Sequence, residues 1–67
     1  MNFKLISPNT ASGYSQVYIM VGSGSDKRLE PVAISRNEGG EYPWRITYAG
    51  GRSHEIHSNW TLYAESK

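Results

Sequence analysis

Alternation of apolar and polar residues is the main pattern of this chain, and it is clearest in the second half. Within positions 42–49 every even-numbered residue is aromatic or aliphatic, and within 53–63 the even-numbered positions include Ile56, Trp60 and Leu62. A period of two puts such residues on one face of a β-strand. No stretch keeps the period of three to four residues that an amphipathic helix needs. The pattern therefore predicts an all-β protein.

Glycine residues separate segments of strand length that are rich in Val, Ile, Thr, Tyr and Trp. Glycine favours turns because it adopts backbone conformations that other residues avoid. The spacing predicts consecutive antiparallel strands, with the last three forming a meander. The five predicted strands are residues 3–7, 14–21, 31–37, 42–49 and 53–63.

The connection between the last two predicted strands must leave their apolar faces on the same side of the sheet. A two-residue turn at 50–51 would place Ile46 opposite Glu55 and separate these faces. A three-residue loop restores the match, either at 50–52 or in the frame one residue earlier, and such glycine-containing hairpins are common. In the first frame Ile46 lies opposite Ile56.

The preceding connection follows the same rule, and a three-residue loop at 38–40 puts Ile34 opposite Trp44. Pro43 cannot donate a ladder hydrogen bond, so the pairing is expected to break or bulge there. A three-stranded meander has one apolar face, which the first two segments are expected to cover. The predicted core consists of Val17, Ile19, Val21, Val32, Ile34, Trp44, Ile46, Ile56 and Ser58, with Trp60 also packing inside. We therefore expect a single domain, 1–67, forming a small five-stranded antiparallel barrel or rolled sheet, SH3-like in general shape.

The size, charge and composition of the chain exclude several classes of function. Sixty-seven residues with 37% apolar side chains and no cysteine allow a small core without disulfides, to which 12% aromatic residues contribute. The net charge of +1 is too small for a protein that holds duplex DNA by its phosphates. The longest apolar run is far short of a membrane span, and the first residues lack the apolar stretch of a signal peptide. A cytoplasmic location away from membranes is therefore expected.

One glycine-rich motif has a known counterpart. An apolar strand followed by Gly-Ser-x-Ser-Asp, at residues 18–26, resembles the phosphate-binding turn of the carboxyaminoimidazole ribonucleotide mutases of purine biosynthesis. That family needs a following helix and a long doubly wound domain, whereas here Pro31 comes five residues after Asp26. We interpret the segment as a Gly/Ser loop and assign no site residues from this resemblance.

The two histidines do not form a recognisable catalytic or metal site. On a strand His54 and His57 point to opposite faces, and the zinc-protease pattern needs two histidines four apart on a helix. Ser53 and His54 diverge as strand neighbours and cannot act as nucleophile and base, and there is no cysteine nucleophile. Neither a metal, nor a cofactor, nor an enzymatic activity is predicted.

One group of candidate binding residues lies on the solvent-facing side of the predicted sheet, with Tyr63 continuing that face along the last strand. Arg45 is expected across from His57 and diagonal to Glu55. The tyrosines cannot all fit in so small an interior, so some are expected on the surface. The predicted binding residues are Arg45, Glu55, His57, Tyr63, Tyr18 and Tyr42.

These features favour a non-catalytic protein-interaction module, an adaptor or inhibitor that docks on a larger protein. Strand 14–21 carries no charge and is a candidate open edge for pairing with another chain, including a second copy. The size suits an accessory protein of a phage or mobile element that acts on a host factor. The alternative is a β-barrel that binds single-stranded nucleic acid, since small barrels present aromatic rings to bases. The acidic residues Glu38, Glu41 and Glu55 weaken that alternative.

Overall fold

The computed structural model describes the backbone of residues 2–66 and the side chains of residues 2–65. Within this range the chain forms β-strands and two short 3₁₀ helices, which confirms the all-β prediction. The strands are β1 (Asn2–Ile6), β2 (Val17–Val21), β3 (Arg28–Arg36), β4 (Trp44–Tyr48), β5 (Ser53–Ile56) and β6 (Leu62–Ser66), and the 3₁₀ helices are Pro8–Gly13 and Gly24–Asp26.

All the described strands belong to one six-stranded antiparallel sheet in the order β1-β6-β2-β3-β4-β5. β1 and β5 are the two edges, and the sheet is not closed into a barrel, so the five-stranded barrel was wrong in strand number and in closure. β3, β4 and β5 form the predicted meander. β2 lies between β6 and β3, so the segment 14–21 is not the open edge that its lack of charge suggested.

The last predicted strand, 53–63, is two strands separated by a turn. β5 ends at Ile56, and the N–H of Trp60 donates a hydrogen bond to the carbonyl of His57 at 3.2 Å. The turn contains Ser58 and Asn59, whose side chains favour turns over ladders. After it, β6 joins the other half of the sheet, beside β1 and β2.

The core lies on one face of the sheet, with Ala11 of the first 3₁₀ helix packed against it. Ile56 on the edge strand β5 and Leu62 on β6 are both fully buried in the same cluster, although three strands separate them in the sheet. The sheet therefore curls around its own apolar face, which we call the concave face. The buried apolar side chains are Ala11, Val17, Ile19, Val32, Ile46, Ile56, Leu62 and Ala64.

The predicted core is confirmed for the five positions that are fully enclosed. Val21, Ile34 and Trp44 are half-buried against the cluster. Ser58 and Trp60 are exposed because they lie in the turn after β5, so their assignment to the core was wrong. The confirmed positions are Val17, Ile19, Val32, Ile46 and Ile56.

The β4–β5 hairpin uses the earlier of the two predicted loop frames. The N–H of Tyr48 donates to the carbonyl of Arg52 at 2.7 Å, leaving residues 49–51 as the loop. Gly51 has φ 99°, a left-handed conformation that glycine adopts without strain. As a result Ile46 lies opposite His54, two residues from the register of the first frame.

The β3–β4 loop has the predicted odd parity but is longer than expected. The N–H of Asn37 donates to the carbonyl of Pro43 at 3.0 Å, so residues 38–42 form a five-residue loop. Pro43 has no N–H to give, and β4 begins directly after it. Ile34 consequently lies opposite Ile46, and Trp44 lies opposite Arg36.

The Gly/Ser-rich segment connects β2 to β3 as a hairpin. Its 3₁₀ turn, Gly24–Asp26, is closed by a bond from the Asp26 N–H to the Ser23 carbonyl at 2.9 Å. The chain then enters β3 and not a long helix. Among residues 2–66 no helix has the length and apolar character to cross a membrane.

Candidate functional site

The face of the sheet opposite the core, which we call the convex face, has an apolar half and a polar half. Side-chain alternation and the ladder registers assign each residue to a half. The apolar surface consists of Phe3, Leu5, Tyr18, Met20, Leu29, Pro31 and Tyr63, together with Trp60 from the turn before β6. The exposed Glu65, which lies opposite Phe3, is the charged residue at its margin. The polar surface consists of Ser35, Asn37, Arg45, Thr47, Ser53 and Glu55.

The apolar surface is built on one row of side chains that crosses four strands. Leu5 lies opposite Tyr63, and Tyr63 lies opposite Tyr18. Tyr18 in turn lies opposite Pro31. Phe3 packs edge-on against Tyr18 with ring centroids 5.2 Å apart, a favourable geometry for aromatic rings. Two of the predicted binding residues, Tyr18 and Tyr63, therefore lie side by side in the middle of this surface.

Three large apolar side chains of this surface are exposed to solvent. Leu5 exposes 66% of its area, Trp60 44% and Met20 40%. Single exposed apolar residues are common on soluble proteins, whereas large contiguous groups are typical of interaction surfaces. These three flank the row of half-buried tyrosines, so the group is contiguous.

An open groove of about 340 Å³ lies at one end of the apolar surface. Met20, Trp60 and Tyr63 form its walls with Ile19, Asn59 and Thr61. None of these side chains carries a charge. The volume is at the lower end of the range for ligand pockets, which is enough for one or two side chains of a partner.

Arg45 is the centre of the polar surface, and both of its terminal guanidinium nitrogens donate hydrogen bonds within the protein. One guanidinium nitrogen, Nη2, donates to Oδ1 of Asn37 at 3.1 Å, and the other, Nη1, donates to Oγ of Ser53 at 3.3 Å. Nη2 also lies 3.6 Å from Oε2 of Glu55, which is directly opposite Arg45 in the ladder. The expectation that His57 would be opposite Arg45 was wrong because the register differs by two.

Asn37 extends this network into the β3–β4 loop. Asn37 is a buried residue, and its side-chain amide donates to the carbonyl of Tyr42 at 2.8 Å. Its backbone carbonyl accepts a bond from the N–H of Gly40 at 3.2 Å. Arg45 and Asn37 together hold loop 38–42 in place, so the polar surface has a structural role.

The six predicted binding residues fall into two groups. Arg45 and Glu55 form the ion pair, and His57 packs edge-on against Tyr42 with ring centroids 4.3 Å apart. Tyr42 is linked to this group through the bond from Asn37. Tyr18 and Tyr63 form the second group, in the apolar half of the convex face.

Sequence reasoning missed the remaining apolar surface, chiefly Phe3, Leu5 and Met20. A signal for it exists in the sequence, because β2 is apolar on both faces and β1 carries Phe3 and Leu5 on the face opposite Ile6. Strands that are apolar on both faces are typical of sheets covered on both sides. That signal indicates a second apolar surface as well as a core.

The histidines lie apart, each beside an aromatic ring. His54 is next to Tyr48, with ring centroids 5.6 Å apart, while His57 is next to Tyr42. In the described part of the chain no three His, Cys, Asp or Glu side chains come together in a way that could hold a metal ion.

The chain matches no known protein-family model. Searches of curated proteins and of solved structures find no significant match.

Proposed function

We propose that this chain is a non-catalytic, cytoplasmic protein-interaction module, an adaptor or inhibitor that docks on a larger protein through its apolar surface. The observation that carries the proposal is the row from Leu5 through Tyr63 and Tyr18, flanked by the exposed Met20 and Trp60. Aromatic residues and methionine are enriched in the buried centres of protein interfaces, where charged residues are depleted. The composition of the apolar surface fits that description.

The free energy of binding favours the apolar surface over the polar surface as the docking site. Fully burying a large apolar side chain contributes about 1.5–3 kcal/mol, and Leu5 and Trp60 still have much of their area to bury. A partner that bound Arg45 would compete with its bonds to Asn37, Ser53 and Glu55. Taking the guanidinium away from Asn37 leaves Oδ1 of that buried residue without this partner, which is costly.

A capture experiment with matched variants tests this proposal. Wild type, the double variant Leu5→Ser/Trp60→Ser and the control His57→Ala are immobilised and exposed to cell lysate, after circular dichroism has shown that all three are folded. We expect wild type and His57→Ala to retain the same protein and the double variant to lose it. Retention by the double variant, or loss from His57→Ala alone, would contradict the proposal.

Single-stranded nucleic-acid binding is the alternative, and three pairs of a cation and an aromatic ring favour it. Arg36 lies 4.7 Å from the ring centroid of Trp44, and Arg52 lies 5.0 Å from that of Tyr48. Lys4 lies over the ring of Tyr14 at 5.3 Å. Bases stack on such groups, and the binding weakens steeply with salt. Fluorescent DNA and RNA oligonucleotides that fail to bind at about 50 mM salt would remove this alternative.

A further inference from the structure

The backbone hydrogen bonds show which neighbour the polar groups of each strand face. The bond from Asn37 N–H to the Pro43 carbonyl shows that odd-numbered residues of β3 face β4, so the even-numbered ones face β2. Pro31, which has no N–H, therefore lies opposite Tyr18 in a pair without ladder bonds. It follows that Tyr18 and Met20 direct their N–H and C=O groups away from β3, toward β6.

The ladder between β2 and β6 stops before it reaches Met20. Its register pairs Val17 with Ala64 and Tyr18 with Tyr63, and no further pair follows. In the same register Met20 would lie opposite Thr61, which belongs to no strand. No backbone hydrogen bond joins these two residues in the described part of the chain. The N–H and C=O of Met20 therefore face β6 without a hydrogen-bond partner among the described residues of that strand.

These unpaired backbone groups of Met20 lie beside the apolar groove. Met20, which lies just beyond the last pair of the β2–β6 ladder, also forms a wall of the groove with Trp60 and Tyr63. A neighbouring donor and acceptor on a strand edge recognise the backbone of another extended chain, while pockets beside them select its side chains. The lining carries no charge, so the occupant that complements it is uncharged and apolar.

We propose that the groove binds an extended, apolar peptide segment of the protein partner. One residue of the segment exchanges backbone hydrogen bonds with Met20, and a neighbouring apolar side chain enters the groove between Trp60 and Tyr63. This inference rests on the proposed function, because it names the chemistry of the partner at the same surface. Strand addition supplies the affinity through the backbone, and the groove supplies the selectivity.

Blocked pentapeptides test this inference by nuclear magnetic resonance. The probes are Ac-Thr-X-Thr-X-Thr-NH₂ with Leu or Phe at X, an Ala version, and Leu and Phe versions N-methylated at every residue to remove the backbone donors. We expect the Leu or Phe peptide to shift the amide signal of Met20 and the indole signal of Trp60. Affinity should fall about tenfold or more for the N-methylated peptide and the Ala peptide.

Protein variants locate the binding at the groove. Trp60→Ser should weaken binding of the Leu or Phe peptide about tenfold or more, since truncated tryptophans at contact centres have the largest effects. Leu5→Ser lies on the same surface outside the groove and should bind as wild type does. Equal binding of the N-methylated peptides, or no shift at Met20 and Trp60 up to about 1 mM peptide, would overturn the inference.

The two proposals fail separately. Absent peptide binding together with loss of the captured protein from Leu5→Ser/Trp60→Ser would refute the strand-addition site and leave the docking function standing. Peptide binding at Met20 together with undiminished capture by the double variant would refute docking through the apolar surface and leave the groove as a peptide site.

Discussion

Arg45 joins the end of β3 to β5 through Asn37, Ser53 and Glu55. Asn37 is the buried member, and its amide has partners at both ends, the guanidinium and the Tyr42 carbonyl. The exposed ion pair with Glu55 contributes little, because solvent screens such pairs. The bond to Asn37 contributes more, because its loss leaves a buried acceptor without a partner.

Arg45→Ala should therefore lower the free energy of unfolding by about 1–3 kcal/mol. The control is Glu30→Gln, which removes only the exposed pair with Arg28 and should change stability by less than about 1 kcal/mol. Urea denaturation measures both from the shift in midpoint at constant slope. Equal midpoints for the two variants would show that Arg45 has no structural role.

Gly40 packs against the same amide, and an added methyl group there would overlap Nδ2 of Asn37. Gly40→Ala should lower the stability by about 1–3 kcal/mol, because the Asn37 amide must leave its bond to Tyr42. Gly50→Ala is the matched control, since nothing lies within 4 Å of its added Cβ. That variant should be neutral or more stable by up to about 1 kcal/mol. Thermal unfolding distinguishes them, and a Gly40→Ala midpoint at or above that of Gly50→Ala would contradict the packing.

Strand faces could be predicted from the sequence, whereas strand ends and register could not. Alternation and an odd number of loop residues place Ile34, Ile46 and Ile56 on one face. A β3–β4 loop of three residues and one of five both satisfy this condition, so an odd loop length alone does not determine the register. The turn after β5 was hidden for the same reason, because Ile56 and Leu62 are an even number of positions apart. Pairing of β6 with β1 and β2 depends on contacts distant in sequence, which no local pattern reports.

The burial of an edge strand offers a test of the curled sheet. Ile56 lies on β5 at the edge but is enclosed by the cluster that includes Leu62. Ile56→Ala should cost about 2–5 kcal/mol, the range for fully buried aliphatic side chains. Ile34→Ala, at a half-buried position in the interior strand β3, should cost less. A smaller loss from Ile56→Ala, measured by urea denaturation, would indicate a flat sheet with a free edge.

The two faces of the single sheet have different roles in the whole molecule. The concave face encloses the apolar cluster and stabilises the fold, while the convex face leaves Leu5, Met20 and Trp60 exposed. On the polar surface, hydrogen bonds between Arg45 and Asn37 and from Asn37 to Tyr42 hold the β3–β4 loop. On the apolar surface a partner could remove the exposed apolar area of Leu5, Met20 and Trp60 from water.

Site-specific photocrosslinking tests the role of the apolar surface most directly. p-Benzoylphenylalanine replaces Leu5 or Trp60 on the apolar surface, or His57 or Arg52 away from it, and each folded variant is irradiated in cell lysate. We expect one crosslinked species of higher mass from positions 5 and 60 and none from positions 57 and 52. The same species from position 57 or 52, with none from positions 5 and 60, would contradict docking through the apolar surface.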